Sequence, residues 1–143
     1  MDSLVDTNVL VYRCDPGNPA RQQRACEVLR EGSGTGDLVL PHQALVEFVA
    51  VTTRRKSGRP PLLTPQGAKA EVDRLILGHK VLYPDAEILR TAFEGFFTYP
   101  LSWYDAHLWA YASVHGLREI LSEDMQDDRK YGSVQVVNPF RDL

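Results

Sequence analysis

Four carboxylates in this sequence stand where folding alone gives them little to do. Asp6 closes the apolar run of "SLVDTNVLVY", and an ionised carboxylate at the end of a buried strand needs something that compensates its charge. Glu47 is the single charge in "QALVEFVAV". Ala44 and Val51 share its helical face, so it lies on an apolar or partly buried stripe, unless it snorkels to a sheet edge or pairs with a cation such as Arg54. Asp105 in "SWYDAHLWAYA" follows Ser102 by three positions, the spacing of a capping box. Aspartate is shorter than the Glu or Gln that reaches back in such a box, which favours a second role. Asp124 in "EILSED" repeats the Asp6 pattern of apolar strand, small hydroxyl residue and carboxylate. Asp127 and Asp128 follow in the same loop, where acids are usually just solvated.

If the four converge, repulsion decides what the cluster needs. Two like charges ~4 Å apart cost about 1 kcal/mol in water and several-fold more in a cleft. A divalent cation removes that cost. An all-oxygen donor set suits Mg²⁺ or Mn²⁺ and not zinc, and a metal that keeps several waters is the usual arrangement for phosphate chemistry. The four histidines, His42, His79, His107 and His115, are scattered and read as structural or surface residues, so no Ser/His nucleophile is expected.

The elements that must position these acids follow from pattern. "SLVDT" reads as a short strand and "VLVYRCD" as a helical turn broken by "DPGNP". A helix over "ARQQRACEVLREG" should stop at Gly32, with "GSGTGD" a loop. "LVL" is a strand, and Pro41 turns into the helix "HQALVEFVAVTTRRK", apolar almost all round and ending near "SGRPP". Thr64 and Pro65 look like an N-cap and first helical residue of a helix reaching about Gly78. "KVLYP" is a strand, "DAEILRTAFEGFF" and "LSWYDAHLWAYASVHG" are helices, and "EILS" and "VQVV" are strands. This alternation implies an α/β fold, a mostly parallel sheet covered by helices on both faces. The cleft of such a sheet lies beyond the carboxyl ends of its strands, where Asp6 sits.

The 143 residues suit a single domain spanning 1–143 with a real core. A hydrophobic fraction of 43%, a charged fraction of 24% and a net charge of −3 describe a soluble globular chain with no general affinity for polyanions. Cys14 and Cys26 form no metal motif and are expected to be reduced. No signal peptide or membrane span is visible, so the expected location is the cytoplasm, with no membrane partner.

"VDTNVLVY", the lone Glu47, "SWYDA" and "SED" after the later strand, in this order and spacing, resemble the PIN-domain nucleases and more narrowly the VapC-type toxins of bacterial toxin–antitoxin pairs. The resemblance covers essentially the whole chain, including its compact length and the closing "VVNPF". It implies a three-layer α/β/α domain and a metal-binding, catalytic quartet of Asp6, Glu47, Asp105 and Asp124. Asn8 or Thr7 would brace the first acid, Ser122 would support the site, and Asp127 or Asp128 would stand as a further acid. It also implies endonucleolytic cleavage of single-stranded or looped RNA with Mg²⁺ or Mn²⁺, a homodimer, and a small VapB-type antitoxin that blocks the cleft.

An RNA backbone needs cations. Arg54, Arg55, Lys56 and Arg59 in "TRRKSGR" and Arg13 after the first strand are the candidates. Trp103 and Tyr104 are aromatic enough to stack on a base, but packing in the core or at an interface is the expected role. A phosphotransfer enzyme with a strand-end aspartate typically carries a second Asp where Asn8 stands and a lysine near a later strand end, which "LSED" lacks. The alternatives that remain are a PIN-fold protein of RNA processing and a non-catalytic RNA- or partner-binding module.

Overall fold

A computed structural model describes residues 2–143. The elements run β1 (Ser3–Val5), α1 (Thr7–Arg13), α2 (Pro19–Thr35), β2 (Leu38–Pro41), α3 (His42–Thr53), α4 (Pro65–Gly78), β3 (Lys80–Leu82), α5 (Ala86–Thr98), α6 (Trp103–Val114), β4 (Glu119–Leu121), β5 (Lys130–Tyr131) and β6 (Val134–Val137). They build one sheet of order β3-β2-β1-β4-β6-β5, parallel except for the terminal β5–β6 pair.

Side chains alternate across a strand, and the two cores follow that alternation. Leu4, Val39, Ile120 and Val136 face a core closed by α5 and α6, among Ile88, Trp109 and Tyr111. Val5, Leu38, Leu40 and Leu121 face a second core with Val9, Leu29, Phe48 and Leu75 from α1 to α4. The fold is therefore a three-layer α/β/α sandwich, as expected. β1 pairs with β2 on one side and β4 on the other, so the chain winds outward from β1 in both directions. The crevice at such a switch point, outside the strand ends, is where open α/β sheets build sites. The β1–β4 register sets Val5 against Leu121, so Asp6 leaves the sheet beside Ser122.

Several boundaries differ from the sequence expectation. Helix α2 does not stop at Gly32 but runs through "GSGT" to Thr35, ending on Gly36 in the left-handed region (φ 73°). Gly32 serves packing: a Cβ there would lie 2.0 Å from the Leu38 side chain, so only glycine lets α2 approach the start of β2. Helix α3 ends at Thr53, and Arg54, Arg55 and Lys56 fall outside it in extended or turn backbone. Its outer face is exposed at Val46 and Val49, so α3 is apolar all round but buried on one side only. The two-residue β5 carries no strand pattern in the sequence; it forms because a turn at Gly132 (φ 63°) folds it back on β6.

Other expectations hold. Thr64 Oγ1 accepts from the Gly67 N–H (3.0 Å) and caps α4, with Pro65 at its first position. Ser102 Oγ accepts from the Asp105 N–H (3.1 Å) and caps α6. Helices α5 and α6 pack closely, since a Cβ on Gly95 would come within 2.4 Å of the Trp109 ring. Cys14 and Cys26 are both free. Among the described residues no helix is long and apolar enough to cross a membrane.

Candidate active site

Asp6 is the buried centre of the site. It is the last residue before α1 and caps that helix, its Oδ1 accepting from the Thr7 N–H (2.7 Å). Its Oδ2 accepts from the Ser122 hydroxyl (2.7 Å) and lies 3.3 Å from Asn8 Nδ2. Burial disfavours the ionised form and pushes the Asp6 carboxyl up to about 6. The bonds from Ser122 and Thr7 oppose that shift, and the negative charges of Asp124 and Asp105 reinforce it.

Asp124 is tied to the same point. Its N–H donates to Ser122 Oγ (3.1 Å), and its Oδ2 accepts from Asn8 Nδ2 (3.1 Å). The carboxylates of Asp6 and Asp124 thus sit within two hydrogen-bond lengths of each other, bridged by one amide. Asn8 Oδ1 also accepts from the Glu123 N–H (3.3 Å), which fixes the orientation of that amide.

Asp105, in the first turn of α6, is half-buried. Its carboxyl is raised first by burial and then by the charges of Asp124 and Glu47, while Ser102 opposes the shift. Glu47, in the second turn of α3, is partly buried. Its Oε2 accepts from the Thr7 hydroxyl (2.9 Å) and its Oε1 from Gln43 Nε2 (3.0 Å). The N-cap of α1, the second turn of α3, the first turn of α6 and the loop after β4 thus supply one acid each.

The structure brings together Asp6, Glu47, Asp105, Asp124, Asn8 and Ser122, all named from the sequence. Thr7 divides its work between backbone and side chain: its N–H holds Asp6 while its hydroxyl holds Glu47. Gln43 was missed. It lies four residues before Glu47 and so on the same helical face, a spacing legible in "HQALVE". Its amide also reaches the Tyr104 carbonyl (3.4 Å), linking α3 to α6. Glu123 was also missed. Tyr12 and Arg21 both donate to it, Arg21 at 2.7 Å, which ties the loop bearing Asp124 to α1 and α2.

Two expectations are corrected. Asp127 is not a further acid of the site, because its carboxylate accepts from the Asn138 N–H (2.8 Å) and from Arg141 (2.8 Å). Those partners, Arg141 first, hold it below the usual carboxylate range. Asp128 is likewise engaged by Arg141 (2.9 Å). Arg13 does not reach the cleft: its guanidinium pairs with Glu71 of α4. Arg54, Arg55 and Lys56 lie beyond the far end of α3. Trp103 packs on Phe93 and Phe96 of α5, whereas Tyr104 is exposed. Trp103, Tyr104 and His107 also line an apolar hollow of about 380 Å³ that continues from Glu47.

The donor chemistry fits a hard divalent ion. All four acids offer oxygen, and among the described residues none of them takes part in an ion pair. As they stand, no three Asp, Glu, His or Cys side chains of the described residues group closely enough to form a ready cage. Mg²⁺ needs none, because it binds through one or two carboxylates and otherwise keeps water and substrate phosphate.

Comparisons with known proteins bear on the fold and the family. The VapC20 toxin of Mycobacterium tuberculosis, described as cleaving the sarcin–ricin loop, superposes with a TM-score of 0.65 at 17% identity, over 86% of this chain and 90% of that one. A toxin–antitoxin complex from Klebsiella pneumoniae gives 0.68 at 16% identity, over 97% and 98%. DNA-bound VapBC from Salmonella typhimurium gives 0.68 at 14%, over 95% and 96%. A search of curated proteins finds no match. The family model for the PIN domain matches residues 3–131. With that match spanning most of the sequence and the same fold in solved toxins, the chain belongs to the PIN domain family.

Proposed function

We propose that this PIN domain is a metal-dependent endoribonuclease, the toxin of a toxin–antitoxin pair, acting in the cytoplasm. The observation that supports the reading most is the convergence of Asp6, Glu47, Asp105 and Asp124 with no cation of the described residues paired to them. A fold keeps uncompensated carboxylates together at a cost (burial and like charges raise both Asp6 and Asp105), and that cost is offset when a cation binds.

Asp6, Asp105 and Asp124 would hold Mg²⁺ or Mn²⁺, one or two of them directly and the rest through waters the ion keeps, and the ion when bound supplies Lewis acidity toward a phosphate oxygen. Asn8 bridges the Asp6 and Asp124 carboxylates while Ser122 holds the Asp6 carboxylate and the Asp124 N–H, so the pair does not need to reorganise when the substrate arrives. Glu47 has each carboxylate oxygen bonded on one side, by Thr7 and by Gln43, which fixes its plane while leaving lone pairs free. It is placed to orient a water and accept its proton as the phosphodiester is attacked. No side-chain nucleophile is required.

The partner assignments follow the similar structures, several of which are toxin–antitoxin complexes. A VapB-type antitoxin and a homodimer belong to the proposal. The exposed Phe93, Phe96 and Phe97 of α5 form the kind of apolar face that a protein partner covers.

The test is cleavage of mixed RNAs with and without Mg²⁺ or Mn²⁺, comparing the native chain with Asp6→Asn. Metal-dependent cutting that the substitution removes is expected. Absence of cutting with every divalent ion, or cutting that survives the substitution, overturns the reading.

A further inference from the structure

We infer that the turn between α3 and α4 is a phosphate grip, which holds single-stranded RNA a few nucleotides from the cut. The inference rests on the nuclease reading for the identity of its ligand. Arg54, Arg55, Lys56 and Arg59 place four cations within six positions that contain no acid. All four are exposed, and among the described residues none is in an ion pair. Elsewhere the fold pairs six of its twelve other cations: Arg13, Arg21, Arg24, Lys69, Arg74 and Arg141 each have a carboxylate partner. In a chain of net charge −3, such a cluster is a local feature and not a consequence of composition.

The turn is also built. The Arg59 N–H donates to the Lys56 carbonyl (2.9 Å), and Gly58 takes the left-handed conformation (φ 72°) that the third residue of such a turn requires. Lys56 and Arg59 form an antiparallel bridge, and the Leu63 N–H returns to the Thr52 carbonyl (2.9 Å) to close the loop's base. Arg55, Lys56 and Arg59 line one hollow of about 400 Å³ with no carboxylate in its wall. The hollow offers an anion a concave seat rather than three independent side chains.

Helix α3 connects this seat to the site. Arg54 lies seven positions after Glu47, ~10 Å along the helix axis at 1.5 Å per residue. A stacked strand advances ~3.4 Å per nucleotide, so the turn meets phosphates about three nucleotides from the one at the acids. The sequence-tolerant backbone is the ligand such cations fit; they carry no base-reading geometry.

The test uses binding, so that it does not depend on cleavage. In an Asp6→Asn chain, affinity for a labelled single-stranded RNA of about 20 nucleotides is followed by anisotropy between about 50 and 200 mM salt. Replacing Arg54, Arg55, Lys56 and Arg59 with alanine should weaken binding and lower the slope of log K against log salt by about 2 to 3, at ~0.7 per phosphate contact. An all-lysine version should keep most of the slope, and circular dichroism checks that both variants fold. Equal affinity and slope with and without the four cations overturns the grip, as expected if the turn serves an acidic protein partner instead. RNA binding that responds to the turn in a chain whose native form never cuts overturns the nuclease reading alone. No RNA binding by the parent overturns both.

Discussion

Asp6 and Asp127 are the same residue type, both placed where the chain leaves a strand at the same end of the sheet or packs beside one that does, and the fold treats them in opposite ways. Asp127 receives Arg141 and the Asn138 N–H and is held below its usual range. Asp6 receives a hydroxyl, an N–H and an amide but no cation, and is pushed up to about 6. At Asp127, where the carboxylate serves the structure, a guanidinium comes with it. Where carboxylates are gathered at the β1–β4 switch point, neutral donors orient them and no cation of the described residues pairs with them.

The comparison breaks most visibly at Asp6. On the proposed function, Asp6→Asn should lower metal-dependent cleavage roughly 10³-fold or more, since several kcal/mol of transition-state stabilisation would depend on the ion it would help hold. The same substitution should raise the melting temperature of the metal-free protein at pH 7. Folded Asp6 keeps its proton up to about pH 6, whereas the unfolded residue loses it near 3.8. The folded state therefore binds the extra proton between those values, and stability falls as pH rises through that window, by up to about 3 kcal/mol. Cleavage assays with Mg²⁺ check the first expectation, and thermal melts at pH 7 with and without Mg²⁺ check the second. A variant that melts lower than the native chain without metal would contradict the uncompensated charge.

A smaller effect is expected at Ser122, which is fully buried and holds Asp6, the Asp124 N–H and the Met125 N–H at 2.7, 3.1 and 3.4 Å. Ser122→Ala should cost ~10- to 100-fold in activity, the usual range for a group that orients a metal ligand. It should also move the acid limb of the pH–rate profile upward, because the hydroxyl is the main influence lowering Asp6. An unmoved acid limb would show that Ser122 acts only through packing.

The smallest effect on catalysis belongs to Asp127. Asp127→Asn should leave the cleavage rate within about twofold while lowering the melting temperature at neutral pH. Its stabilising pairing is present above its unfolded pKa and is lost as pH falls through the depressed folded value, the reverse of Asp6. A large loss of cleavage in this variant would return Asp127 to the site and erase the contrast.

Much of the site was legible before the fold, because its residues violate local rules. Asp6 after an apolar run, Glu47 alone in an apolar helix and Asp124 after a strand are each visible as charges out of place. Gln43 and Glu123 violate nothing: a glutamine near a helix start and an acid in an exit loop are ordinary, and only their partners across the fold reveal what they do. Asp127 shows the converse error. It shares a loop with Asp124, and nothing in "EDMQDDR" says that Arg141, fourteen residues on, claims it. Gly32 misled for a related reason. Glycine is a stop signal by local propensity, but here Leu38 needs the space.

The sequence by itself determined the α/β alternation and the caps at Thr64 and Ser102, and it singled out four acids as candidates, because hydrophobic period, capping and misplaced charge are all written within a few residues. Only the tertiary structure decided which acids share a cleft and which are neutralised, that Arg13 turns to Glu71, and that Asn8, beside Asp6, reaches Asp124 across 116 positions of chain. Electrostatic and hydrogen-bond partners are set by distance in space, and the strand register that brings β1 beside β4 is a property of the whole sheet.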